Sequence, residues 1–192
     1  MSAREHEEVS AYERQYRDKS DPCVLDIIDV PLLEPRPKGY QQENWLLDPD
    51  RYWVKIGRAA WTALQPLAGP AGPLWINGYS TYNGLNDKIP LSHADDLDNS
   101  LRLIRVDHLT LSVFESGLGK PKRRVQGRFR HEGKDYWLWV TVPQYEQAYL
   151  ARPDDDYEIG ESFLTVSLGE PFNGACYKLT AAIIERNEGL AE

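Results

Sequence analysis

Basic and aromatic side chains are concentrated in one stretch of the sequence, residues 120–141. Within residues 120–134 a single acid, Glu132, accompanies seven bases, which are Lys120, Lys122, Arg123, Arg124, Arg128, Arg130 and Lys134. Trp137 and Trp139 follow closely. The fifteen residues carry a net charge of +6 in a chain whose formal net charge is −8. Guanidinium groups hold phosphates and indole rings stack on bases, so this composition is typical of a surface that binds single-stranded nucleic acid.

The spacing of this stretch predicts a β-hairpin with a two-residue turn at Glu132 and Gly133. Its cross-strand pairs would be His131 with Lys134, Arg130 with Asp135, Arg128 with Trp137 and Gln126 with Trp139. One face of the hairpin would then carry Arg124, Gln126, Arg128, Arg130, Trp137 and Trp139, and the other Val125, Phe129, Tyr136, Leu138 and Val140. A three-residue loop would reverse this sorting, because a slip of one residue moves each side chain to the opposite face. We expect the two-residue turn, since it separates apolar from basic side chains.

The hairpin supplies the predicted nucleic-acid-binding residues, which are Lys122, Arg123, Arg124, Arg128, Arg130, Trp137 and Trp139. Arg124, Arg128 and Arg130 would hold phosphates, the two tryptophans would stack on bases, and Lys122 and Arg123 would lie at the rim. Two alternatives remain open. The face could pack against another domain or protein, with the arginine stems lying over Trp137, or it could simply be solvated.

A second polar segment, residues 77–98, contains side chains that suit a small ligand. Its candidate ligand-loop residues, for a nucleotide or a sugar, are Ser80, Asn83, Asn86 and Asp87. The segment matches neither the phosphate-binding loop nor the dinucleotide fingerprint, and Asn and Asp also stabilise turns by bonding their own backbone. An ordered structural loop is therefore the main alternative. No catalytic residue, metal set or cofactor is indicated, which makes an enzyme the less favoured class.

Alternating and apolar runs predict a mainly β protein. In the first half they predict strands in Cys23–Leu33, a hairpin or kinked pair around residues 48–50, a short helix at 58–67 and a strand at 74–76. In the second half they predict strands around residues 109–114, 120–131, 135–142, 163–168 and 177–184, with a helix at 144–150. Five strands with a helix between the third and the fourth is the order of an OB-type barrel.

Composition limits the possible classes of protein. The chain has 192 residues, 22 Lys and Arg against 30 Asp and Glu, and two cysteines. The acidic total argues against a protein that coats duplex DNA, and residues 101–192 are less acidic than residues 1–100. No apolar run is long enough to span a membrane, and the charged N-terminus does not read as a signal peptide. Cys23 and Cys176 are expected to be small buried residues, and the predicted location is a reducing cytoplasm.

Three stretches resemble the bacterial family called dual OB-containing domain proteins. They are YWVKIGRAAW (52–61), LWINGYSTYNGLNDKIP (74–90) and SFLTVSLGEPFNGACYKLTAAII (162–184). The resemblance covers roughly residues 22–185. It implies two consecutive OB-like barrels and a nucleic-acid-binding role near prokaryotic conflict systems. It supplies no catalytic set.

The sequence thus predicts two tandem small OB-like barrels with short helices. The expected domains are a charged N-terminal segment, helical or flexible, at residues 1–20, a first barrel at 21–100 and a second at 101–192. The expected function is single-stranded nucleic-acid binding through the hairpin of the second barrel. The alternatives are a protein-interaction adaptor or sensor without nucleic-acid contact and, less favoured, a nucleotide-binding enzyme that uses the 77–98 loop.

Overall fold

A computed structural model of the chain describes residues 1–3, 7–69, 72–117 and 120–186. It is mainly β, as predicted, and divides into two compact units, Met1–Leu64 and Gln65–Glu192. The sequence predicts a boundary near residue 100 instead. Segment 65–100 lies in the second unit because the Gly69 amide donates to the Leu103 carbonyl and residues 88–90 pair with 175–177. Among the described residues, no helix has the length and apolar character that crossing a membrane requires.

The first unit contains four short strands, β1 (Asp26–Asp29), β2 (Leu32–Pro35), β3 (Trp45–Leu47) and β4 (Val54–Arg58). A 3-10 helix, Trp61–Leu67, follows them, shorter than the predicted helix at 58–67 because β4 extends through Arg58. The second unit contains β5 (Lys88–Pro90), α1 (Leu91–Ala94), β6 (Leu101–Ser116), β7 (Lys122–His131), β8 (Lys134–Val140), α2 (Pro143–Leu150), β9 (Asp156–Leu168) and β10 (Ala175–Glu185).

Strands β6 to β10 form a closed ring in the second unit. Antiparallel ladders join β6 to β7, β7 to β8, β6 to β9 and β9 to β10, and a short parallel ladder joins β8 to β10. The long strand β6 shifts register between Val106 and Leu109, and again between Leu109 and Thr110. Such bulges bend a strand and increase its twist, which favours closure of the sheet into a ring. With α2 between β8 and β9, this ring agrees with the OB order predicted from the sequence.

The core of the second unit lies inside this ring. The fully or almost fully buried apolar side chains of its strands include Val106, Leu109, Leu111, Val113, Val125, Phe129, Tyr136, Leu138, Val140, Leu164, Val166 and Leu168. They recur mostly at every second position, because successive side chains of a strand point to opposite faces. The predicted apolar face of the hairpin is therefore confirmed.

The predicted strand at residues 74–76 is wrong. These residues form bends, and Trp75 has a positive φ of 52°, which is incompatible with an extended strand. Leu74 and Trp75 are nevertheless buried. Their backbone bonds go to side chains of the barrel rather than to a neighbouring strand: the Leu74 amide donates to the Tyr136 hydroxyl at 3.2 Å.

In the described residues of the first unit, the strands form two separate two-stranded ladders rather than a closed ring. The predicted pairing around residues 48–50 is wrong: β3 pairs with β2, and β4 pairs with β1. Residues 48–50 do form a turn, since the Asp50 amide donates to the Asp48 carboxylate. The strands on its two sides pair with β2 and β1, which come earlier in the chain, and not with each other. The first barrel predicted from the sequence is therefore not formed by the strand pairings of the described residues.

Two further expectations for the first unit differ from the structure. In the described part of residues 1–20 there is no helix; instead there are turns, and Tyr16 bridges to Trp53. The segment also packs against β3, because the terminal amine of Met1 donates to the Trp45 carbonyl at 2.6 Å. Cys176 is buried as predicted, whereas Cys23 is exposed, because it precedes β1 rather than lying within it.

Candidate nucleic-acid interface

The hairpin of β7 and β8 has the register predicted from the sequence. His131 pairs with Lys134, Arg128 with Trp137 and Gln126 with Trp139. Glu132 and Gly133 both have positive φ, 47° and 72°, which is the geometry of a type I′ turn. The side chains of Arg124, Arg128, Arg130, Trp137 and Trp139 therefore share the outer face of the barrel, as the predicted register requires.

Two arginine–tryptophan pairs form on this face. The Arg128 guanidinium lies 5.0 Å from the Trp137 ring centre, and the Arg124 guanidinium lies 5.2 Å from that of Trp139. Both distances are within the range of cation–π attraction. Trp137 keeps 40% of its surface exposed, so its ring remains accessible to a ligand.

A third aromatic residue, Phe114 on β6, belongs to the same face and was missed at the sequence level. It pairs in register with Arg124, its ring lies 5.7 Å from that of Trp139, and Arg128 lies 5.7 Å from its centre. The sequence contains a signal for this placement, because Phe114 alternates with the apolar Leu111 and Val113 of the same strand, which are buried. A residue of opposite parity to a core residue must lie on the outer face.

Acids from another part of the chain neutralise part of the basic stretch. Arg123 donates to the Asp154 carboxylate at 2.7 Å, and Arg128 lies 3.7 Å from that of Asp156. This happens because β9 begins at Asp156 beside β6. Arg130 is paired within the hairpin, at 3.1 Å from Asp135.

Arg123 has a structural environment that the sequence did not reveal. Its guanidinium also donates to the carbonyls of Leu150 and Arg152, at 2.7 and 2.6 Å. These carbonyls lie at the end of α2, where the unpaired carbonyls of a helix attract cations. Arg123 thus fixes α2 to the barrel, and each of its three guanidinium nitrogens donates a hydrogen bond.

The cations without an ion pair form a smaller set. Within the part of the chain that the structure describes, no carboxylate lies within salt-bridge distance of Lys120, Lys122, Arg124 or Lys134. Lys122 and Arg124 are exposed near the start of β7. Three of these four cations, Lys120, Lys122 and Arg124, lie at or near the start of β7, and Lys134 lies beside the turn.

A loop crosses the outer face of the hairpin; we refer to residues 78–87 as the strap. The backbones of Leu85 and Trp137 exchange two hydrogen bonds, at 3.1 and 3.3 Å. The Gln126 side chain donates to the Asn83 carbonyl at 2.7 Å. Gln126 and the neighbouring Ser112 are consequently buried, and the Ser112 hydroxyl has no hydrogen-bond partner.

The four ligand-loop candidates all make hydrogen bonds within the protein. Asp87 accepts from the Thr81 amide at 2.7 Å and from the Thr81 hydroxyl at 2.5 Å. Ser80 accepts from the Asn86 amide, and Asn86 accepts from Gly78 and donates to Asp135. Asn83 donates to the Ser116 hydroxyl at 2.6 Å. These bonds agree with the structural alternative, and a ligand of this loop would have to replace them.

Lys178 on β10 is a buried cationic group that the sequence analysis did not single out. Only 1% of its surface is exposed, and its ammonium donates to the Ile76 carbonyl at 2.7 Å and the Asn77 side-chain oxygen at 2.9 Å. Burial lowers the pKa of Lys178 to about 7, partly opposed by the charge of Asp87. The available signal was a lysine inside an otherwise apolar strand, where an unpaired charge is costly.

Comparison with known proteins supplies one match. A family model described as a dual OB-containing domain matches residues 1–183. The match extends to the N-terminal segment, which the resemblance found in the sequence did not include. No curated protein and no solved structure matches the chain.

Proposed function

The chain belongs to the dual OB-containing domain family, and on this premise we propose that it binds single-stranded nucleic acid through the outer face of β7 and β8. In OB folds the face of the second and third strands is a common site for oligonucleotides. Strands β7 and β8 are the second and third of the ring. The placement of this activity in the cytoplasm of a prokaryote, in a conflict system, is part of the same proposal and rests on the family resemblance.

The observation that carries the proposal is the pair of arginine–tryptophan contacts. Trp137 offers an accessible ring for a base, while the Arg128 guanidinium beside it can hold a phosphate. Stacking of one base on an aromatic side chain contributes roughly 1–3 kcal/mol. The face thus combines the two interactions that single-stranded nucleic acid requires.

The contacts refine the roles expected of each residue. Arg124, Arg128 and Lys122 are the proposed phosphate contacts, with Trp137 and Trp139 as the stacking residues. Arg130 would have to release Asp135 before it could bind a phosphate. Arg123 is assigned to the end of α2 and is not part of the proposed surface.

The test is fluorescence anisotropy with labelled single-stranded DNA and RNA, at low and near-physiological salt. The wild-type chain should bind at low salt, and a variant with Arg128→Ala and Trp137→Ala should bind about tenfold or more weakly, because it lacks a stacking residue and a phosphate contact. Circular dichroism should show that the variant is folded.

A matched control removes one arginine and one aromatic residue elsewhere. Arg152→Ala with Phe172→Ala changes the charge equally, and both side chains are exposed outside the hairpin face. This control should bind like the wild type. Absence of binding by the wild type at low salt, or equal weakening in both variants, would overturn the proposal.

A protein-binding role is the second candidate, and the first unit favours it. Several of its large apolar residues have more than 40% of their surface exposed, including Val24, Ile27, Leu33, Val54 and Ile56. Exposed apolar groups of this kind are typical of interaction surfaces. A chain that binds no nucleic acid at low salt would favour this alternative, which co-purification with a partner would then test.

A further inference from the structure

Tyr82 is the most exposed of the large apolar and aromatic side chains in the described residues, with 95% of its surface accessible. It lies in the middle of the strap, and its ring takes no part in the core. An exposed aromatic ring contributes nothing to folding through burial. The ring is therefore free to contact a ligand.

The backbone on both sides of Tyr82 is held in place. Thr81 is bonded to Asp87 through both its amide and its hydroxyl, and Gly84 donates to the Thr81 hydroxyl at 2.9 Å. Asn83 is bonded to Gln126 and to Ser116. The ring is thus presented from an ordered loop, which reduces the entropy lost when it engages a ligand.

These bonds also place Tyr82 beside the basic face. Asn83, the next residue, contacts Gln126 of β7 and Ser116 of β6, and Ser116 pairs in register with Lys122. Lys122 and Arg124 are two of the cations of the basic stretch that have no ion pair in the described residues. The opposite side of the strap, at Leu85, is joined to the backbone of Trp137.

We propose that Tyr82 is a base-stacking residue of the nucleic-acid surface, located at the strap and beside the free cations Lys122 and Arg124. The inference rests on the function proposed above. A polyanion with flat rings fits this combination, because the cations hold its backbone while the phenol ring receives a base. The bound strand would then contact Trp137 and Tyr82 on the two sides of the strap.

The test compares Tyr82→Ala and Tyr82→Phe in the anisotropy assay with labelled single-stranded DNA and RNA. Tyr82→Ala should weaken binding about fivefold or more, whereas Tyr82→Phe should retain most of the affinity, because it keeps the aromatic face. Both variants should fold normally, since the ring is not packed. Tyr12→Ala is the matched control, because it removes another exposed phenol, 62% accessible, from the first unit.

A second readout locates the contact. An oligothymidine containing one 5-iododeoxyuridine would be irradiated with the wild-type chain, and the crosslinked peptide identified by mass spectrometry. The expected crosslink is to Tyr82. If the wild type binds but Tyr82→Ala binds equally well and no crosslink forms at Tyr82, the inference is overturned while the proposed function stands. If the wild type does not bind, both are overturned.

Discussion

At the scale of single residues, neighbours in the sequence have different roles. Arg123 and Arg124 are adjacent bases and lie on opposite faces of β7, because side chains alternate along a strand. Arg124 lies over Trp139 on the outer face. Arg123 instead bonds Asp154 and the end of α2. A count of charges in the stretch therefore overestimates the number of cations that a ligand can reach.

The buried Lys178, also at the residue scale, leads to a prediction about how stability depends on pH. Its pKa is lowered to about 7 by burial, whereas in the unfolded chain it keeps the ordinary lysine value of 10.5. Between these values the unfolded chain binds the additional proton, so stability should rise with pH, by up to about 1.4 kcal/mol per pH unit from this group. The neutral amine can still donate to both Ile76 and Asn77.

The measurement is chemical denaturation of the wild type and of Lys178→Met at several pH values between about 7 and 9. The free energy of unfolding should rise with pH in the wild type and not in Lys178→Met, even if the variant is less stable at every pH. Lys134→Met, at an exposed lysine of β8, should keep the rise. Equal slopes for the wild type and Lys178→Met would contradict the assignment.

At the scale of elements, the strap depends on one glycine. A Cβ atom added to Gly84 would lie 1.9 Å from a carboxylate oxygen of Asp87 and 2.7 Å from the Thr81 hydroxyl. Both distances are far shorter than van der Waals contact. Only glycine lets the Asp87 carboxylate reach Thr81 past this point of the backbone.

Gly84→Ala should therefore break the Thr81–Asp87 bonds, lower the stability by about 1–3 kcal/mol and loosen the strap. Hydrogen exchange of the Leu85 amide, which donates to the Trp137 carbonyl, would report the loosening as faster exchange. Gly57→Ala is a suitable control, because its Cβ would meet nothing closer than 3.7 Å. Unchanged protection of Leu85 in Gly84→Ala would show that the strap does not depend on this packing.

At the scale of the whole molecule, an acidic protein carries a small basic surface. Because the net charge is −8, distant charges repel a nucleic acid and only the local cations attract it. The proposed phosphate contacts are Lys122, Arg124 and Arg128. A plot of the logarithm of the binding constant against the logarithm of the salt concentration should therefore have a slope of about −2.

Replacement of Arg124 by alanine should reduce the magnitude of this slope by about 0.7, the contribution of one phosphate contact on a single strand. Anisotropy titrations over a series of salt concentrations would measure it. Arg152→Ala changes the net charge equally and should leave the slope as in the wild type. Identical slopes for all three proteins would remove Arg124 from the proposed surface.

The sequence alone determined the mainly β class, the family resemblance, and the hairpin of β7 and β8 with its register. These features depend on side-chain alternation and on turn residues such as Glu132 and Gly133, which act over a few positions of the chain. The same local rules mispaired β3 and β4 and predicted a strand at residues 74–76. The true partners, β2 for β3, β1 for β4 and the Tyr136 hydroxyl for Leu74, lie beyond the adjacent turn, which is as far as the local rules extend.

Only the tertiary structure decided which of the basic residues remain free and what lies over them. The ion pairs of Arg123 and Arg128 require β9 to return beside β6, and the strap bonds require residues 78–87 to cross strands that come some forty residues later. Burial of Lys178 likewise depends on contacts with Ile76 and Asn77, about a hundred residues earlier. Contacts of this kind follow from closure of the barrel, which no local pattern of the sequence specifies.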